Sequence, residues 1–107
     1  MAEQLEITES AEGESLILSV RGELDIATAR LLDRRLSTLL GAHRQVVLDL
    51  AELSFIDSTG LAVLVRAAQA AERDGGGFSV RAVSASAQRV LELSGVAGRL
   101  KLLPNPA

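Results

Sequence analysis

The chain has no cysteine, which excludes disulfides, thiolate metal sites and thiol catalysis together. It has no Trp or Tyr and only two Phe, so its apolar residues are almost wholly aliphatic. Basic residues are not in excess. The formal net charge is −3, whereas non-specific nucleic-acid binding needs a basic footprint. The longest aliphatic stretch, Leu61 to Val65, is far too short to span a bilayer. The opening residues, Met1 to Glu9, are acidic and lack an apolar core segment, so no secretory signal is expected. These absences favour a soluble, cytoplasmic protein with neither nucleic acid nor membrane as a partner.

What remains is enough for one domain. A chain of 107 residues can bury a core without disulfide or metal staples. The domain is expected to span 1–107, with its core about 4–103 and Pro104-Asn105-Pro106 in a terminal tail at 104–107. Period-two alternation marks strands at Ser15 to Arg21, Gln45 to Leu50 and Gly77 to Ala82. Gln4 to Thr8 and Lys101 to Leu103 are weaker candidates for the first and last strands. Helical stripes run from Thr28 to Leu40, from Thr59 to about Arg73 and from Ser86 to Leu93, with Gly41, the Asp74–Gly77 run and Gly95 as stops. Strands and helices alternate, which predicts an α/β domain with a mainly parallel sheet. The short Glu12-Gly13-Glu14 connection makes the first pair an antiparallel hairpin. Most helices should cover one face and leave the other partly solvated.

The chemistry concentrates at Phe55-Ile56-Asp57-Ser58-Thr59-Gly60-Leu61. An apolar strand ends there, an acid and two hydroxyls follow, and a glycine sits in the first turn of a helix. Asp and Ser are ordinary N-cap residues, so a plain cap is one reading. The other is a modification site, because unpaired N–H groups and the helix dipole favour negative charge at that point. Gly60 would leave the backbone approachable by a partner. The topology brings the turn Gly22-Glu23-Leu24-Asp25 to the same sheet edge, where α/β sites usually form. Asp25 and Ser58 should therefore line one patch. The outer face of the second helix, with Ala62, Val63, Arg66, Gln69, Ala70 and Arg73, suits a protein contact, although alanine is also simply a good helix former.

Catalysis lacks the parts. His43, the only histidine, lies in the loop that enters the third strand, while Ser58 follows that strand's exit. They belong at opposite edges of the sheet, too far apart for a nucleophile and its base. Gly75-Gly76-Gly77 lacks the lysine of a phosphate-binding loop. Glu23, Asp25 and Asp57 could hold Mg²⁺ through water, but solvated carboxylates are the plainer reading. Arg34-Arg35 is too small for a nucleic-acid patch. The expectation is a non-enzyme with no metal and no cofactor.

Gly22-Glu23-Leu24-Asp25-Ile26-Ala27-Thr28-Ala29 after one strand, with Val47-Leu48-Asp49-Leu50 leading to Asp57-Ser58-Thr59-Gly60-Leu61 after the next, resembles the STAS family. The resemblance is to its small single-domain anti-sigma factor antagonists and covers nearly the whole chain. It implies a partner-switching cycle. An anti-sigma factor that is also a serine/threonine kinase would phosphorylate Ser58, with Thr59 the secondary candidate. The unphosphorylated protein would bind that kinase and free a sigma factor, and a PP2C-type phosphatase would reset the switch. Asp25, Asp57, Ser58, Thr59, Gly60, Ala62, Val63 and Arg66 would contact the partner, with Asp25 serving phosphorylation or docking rather than the fold. Other STAS domains serve phospholipid-transport or larger signalling complexes, and a small hydrolase using Ser58 is a third class.

Overall fold

The computed structural model describes residues 4–42 and 44–104. His43 and the end of the expected tail, Asn105 to Ala107, lie outside the described residues, as do Met1 to Glu3. In chain order the elements are β1 (Leu5–Glu12), β2 (Ser15–Leu24), α1 (Ala29–Gly41), β3 (Gln45–Ile56), α2 (Ser58–Asp74), β4 (Gly77–Arg81) and α3 (Ala85–Ser94), followed by a short 3₁₀ turn, Val96–Arg99.

The sheet order is β1-β2-β3-β4. β1 and β2 form the antiparallel hairpin, turning at Gly13 with a φ of 60°, and the β2–β3 and β3–β4 pairs are parallel. Parallel neighbours joined in sequence require crossovers of the same hand, which puts α1 and α2 on one face. Leu18, Val20, Val46, Leu48, Leu50, Phe78 and Val80 pack there against Leu32, Leu36, Leu40, Leu64, Ala71 and Leu91. The expected last strand at Lys101 to Leu103 reduces to one bridge, Leu102 beside Val80.

β3 extends well past the expected end at Leu50. Its 12 residues lie along the 10 of β2, and the register slips between Ser19 and Arg21 and between Gly22 and Glu23. These bulges break the alternation by which a strand is read and increase the local twist. Side chains satisfy the groups they free. The Ala51 N–H donates to Asp49 Oδ1 at 3.0 Å, Ser54 Oγ to the Gly22 carbonyl at 2.9 Å, and Ser84 Oγ to the Leu53 carbonyl at 2.7 Å.

One side chain on the helix-free face ties both edge strands to the centre of the sheet. Arg81, on β4, donates through Nε to Asp49 Oδ2 at 3.0 Å and through both terminal nitrogens to the Glu12 carboxylate at 3.1 and 3.2 Å. Glu12 belongs to β1, so the guanidinium arm crosses from one end of the sheet to the other. Ile17 and Val47, paired on that face, are buried without joining the main core.

α2 is turned relative to the buried stripe expected from its sequence, Leu61, Leu64, Val65, Ala68 and Ala71. Gly60, Val63, Leu64, Ala67 and Ala71 are its buried residues, while Leu61, Val65 and Ala68 are half-buried. The helix packs on α1 as well as on the sheet, so two of its sides are covered. Val63 is 1% exposed and is core, not the outward contact expected of it.

Candidate functional site

The site forms where β2 and β3 end side by side. The Asp57 N–H donates to the Leu24 carbonyl at 3.2 Å, tying the turn before α2 to the turn before α1.

Asp57 is the N-cap of α2, with extended backbone. Its Oδ1 accepts the N–H groups of Thr59 at 2.9 Å and Gly60 at 3.1 Å, and also the Thr59 hydroxyl. Two of the first-turn donors that a helix leaves unpaired are thereby satisfied. The Thr59 hydroxyl is the main cause holding this carboxyl below its ordinary range. Partial burial opposes it, and the N–H groups of Gly60, Thr59 and, across the neighbouring turn, Ile26 act in the same lowering sense.

Ser58 is the first residue of the helix and is exposed. Its hydroxyl stands outside the capping bonds, which run from Thr59 and Gly60 to Asp57. The Thr59 hydroxyl is committed to Asp57 and is half-buried. Gly60 corrects an expectation. It is buried, and a Cβ on it would meet Leu24 Cγ at 2.8 Å and Ile56 Cγ1 and the Leu24 carbonyl at 2.9 Å. The close approach is therefore to the protein's own β-strand ends. It seats the start of α2 on them and offers no open backbone to a partner.

Asp25 shares the edge as expected, but its carboxylate is occupied locally. Oδ1 accepts the N–H groups of Ala27 at 3.0 Å and Thr28 at 3.2 Å and bonds the Thr28 hydroxyl at 3.2 Å. Thr28 Oγ1 in turn meets the Asp25 N–H at 3.0 Å and donates to the Glu23 carbonyl at 2.7 Å. These reciprocal bonds close the turn that leads into α1, so Asp25 does contribute to the fold. The Asp-x-x-Thr spacing was visible in the sequence. Ala62 is half-buried, and exposed Arg66 lies 3.6 Å from Asp33 of α1. Sequence reasoning missed Ile26 and Phe55, apolar side chains that stand 81% and 49% exposed beside the two turns. An isoleucine between the Asp and the Thr of that turn was the available signal. Among the described residues, no group of three or more His, Asp or Glu side chains could hold a metal ion.

The family model described as "Mlab, STAS domain" matches residues 7–104. The chain belongs to the STAS-domain family. An anti-sigma factor antagonist from Mycobacterium paratuberculosis is 24% identical, with a TM-score of 0.84 over 97% of this STAS domain and 87% of that chain. The anti-sigma factor antagonist SpoIIAA is similar in its unphosphorylated form, at 18% identity and a TM-score of 0.74 over 92% and 87% of the two chains. So is the phosphorylated form of SpoIIAA from Bacillus, at 19% identity and a TM-score of 0.70 over 92% and 90%. The murine anion transporter Slc26a9 contains the same fold, at 17% identity and a TM-score of 0.71, over 89% of this chain but 17% of its own. At these identities the structural likenesses establish the fold. No helix among the described residues is long and apolar enough to cross a membrane.

Proposed function

We propose that this STAS domain is an anti-sigma factor antagonist that works by partner switching in the cytoplasm. Its unphosphorylated form binds an anti-sigma factor with serine/threonine kinase activity and so frees a sigma factor. Phosphorylation of Ser58 ends the binding, and a PP2C-type phosphatase restores it. The domain is then a kinase substrate and a binding module, not an enzyme, and its partner binds the ATP.

The observation that carries this reading is the free, exposed Ser58 hydroxyl at the start of α2, beside a Thr59 hydroxyl already held by Asp57. A phosphate there adds about −1.5 to −2 charges at the positive end of a helix dipole, which tolerates them locally. Asp25 and Asp57 stand on the adjoining turns, so the patch becomes strongly negative. A docked partner then meets repulsion and an unpaired buried charge, while the fold persists. The similarity to both forms of SpoIIAA supports the same reading. Pull-downs with the native protein and with Ser58→Asp test it. The native bait should retain a kinase-type anti-sigma factor that the Ser58→Asp bait loses, and equal retention would contradict the proposal.

A second reading, to which the STAS-family match is equally open, is a STAS subunit of a phospholipid-transport or other signalling complex acting as a protein-binding module. That role would instead bring down membrane permease and ATPase subunits, independently of Ser58 modification.

A further inference from the structure

β1 is attached differently from the rest of the sheet. It lies at the sheet edge and pairs with β2 alone. Of its side chains only Leu5 is buried and Ile7 half-buried, while Thr8 to Glu12 are exposed. β2 and β3, by contrast, place Leu18, Val20, Leu48 and Leu50 in the core. Charge takes the place of packing along β1. Glu6, Glu9 and Glu12 fall at every third residue, and each meets an arginine of another element: Arg21 of β2 at 3.8 Å, Arg35 of α1 at 3.4 Å and Arg81 of β4 at 3.1 Å. In the first two pairs both partners are open to water, where such contacts contribute little and salt screens them. The Arg81 pair is the strong one. It is bidentate, and Asp49 holds the guanidinium in place from the centre of the sheet.

We propose that β1 is a detachable strand, latched by Arg81, that opens from β2 while the rest of the domain stays folded. Hydrogen bonds of a segment that buries little apolar surface break at a lower free energy than those of the core, and such segments open as units. A strand held by charge opens more readily as salt rises. Opening bares the outer edge of β2, a template for another strand, and uncovers Ile17, which is buried opposite Ser10 on the helix-free face. It also takes the Gln4 carbonyl from the Glu23 N–H, now bonded at 2.6 Å, at the head of the turn that holds Asp25. The edge strand is thereby coupled to the candidate site.

Native-state hydrogen exchange on the purified protein, followed amide by amide by NMR, tests this. Urea below the unfolding transition speeds exchange according to the surface that each opening exposes. The β1 amides bonded to β2 should exchange about tenfold or more faster than those between β2 and β3, and almost independently of urea. The β2–β3 amides should accelerate steadily as urea rises. Raising NaCl from about 0.05 to about 0.5 M should speed exchange in β1. Arg81→Met keeps an unbranched stem on the helix-free face and should speed β1 exchange about threefold or more. Arg73→Met, which removes the partner of Asp74 on α2, should leave β1 exchange unchanged. Equal rates and equal urea dependence in the β1 and the β2–β3 amides overturn the detachable strand. Indifference to salt, or parental β1 exchange in Arg81→Met, overturns the latch.

Discussion

The Asp57 carboxylate accepts the hydroxyl of Thr59, and that bond separates the two hydroxyls at the start of α2. Thr59 is built into the cap of α2, while Ser58, one residue earlier, is left to solvent. The same carboxylate takes two backbone N–H groups, so Asp57 is both the neighbour of the proposed phosphoacceptor and the start of the helix that carries it.

Asp57→Ala should therefore cost about 0.5–2 kcal/mol of stability, the usual loss for an N-cap. The pH dependence has a definite sign. The folded-state carboxyl titrates below its ordinary value of 3.8, so its contribution is fully present above that value and is lost as pH falls below it. Glu12, bonded by Arg81, is also depressed from 4.5, so the parent should lose stability in acid through both groups. Melting curves from neutral pH down to about pH 2.5 should show Asp57→Ala converging on the parent in acid. A constant gap at every pH would rule out the charged cap.

Asp25 allows structure and function to be separated. Asparagine keeps the acceptor oxygen and caps helices as well as aspartate, so Asp25→Asn should melt close to the parent. Asp25→Ala removes three bonds to Ala27 and Thr28 and should lose about 0.5–2 kcal/mol, read as a lower melting temperature. If the carboxylate charge also serves the kinase, Asp25→Asn will be phosphorylated poorly despite its parental melting point. Normal phosphorylation would confine Asp25 to the turn.

Gly60 sets two effects against each other. Alanine gains about 1 kcal/mol of helix propensity over glycine. Its methyl, however, would lie 2.8–2.9 Å from Leu24 and Ile56 atoms, one of them a backbone oxygen that cannot rotate away. Overpacking of this kind typically costs about 1–3 kcal/mol, so Gly60→Ala should melt lower than the parent. A higher melting temperature would show that the strand ends can yield.

Much of the architecture was legible because alternation and helical stripes are local. Leu16, Leu18 and Val20 on β2 and Leu32, Leu36 and Leu40 on α1 read directly as buried faces, and all six are buried. The rest of β3 was hidden because its bulges shift the period around Ala51 and Ser54. Val63 was misplaced because a stripe records how much of a helix is covered but not that α1 also covers its flank. The Arg81–Glu12 pair joins residues 69 apart in sequence, and no local pattern announces such a contact. At the candidate site, the segment itself was legible as an acid, two hydroxyls and a glycine at a helix start. The commitment of the Thr59 hydroxyl, the occupied carboxylate of Asp25 and the inward reason for Gly60 all depend on two turns meeting at the sheet edge.

The most direct test of the account is to incubate the protein with its kinase-type partner and ATP and to map the phosphate by peptide mass spectrometry. The product is then titrated against the same partner. The account predicts one phosphate on Ser58, none on Ser58→Ala, and a partner affinity reduced by about tenfold or more in the phosphorylated form, with the backbone amide spectrum changed only around the start of α2. Phosphate on Thr59 alone, modification that survives Ser58→Ala, or undiminished affinity after phosphorylation would contradict it.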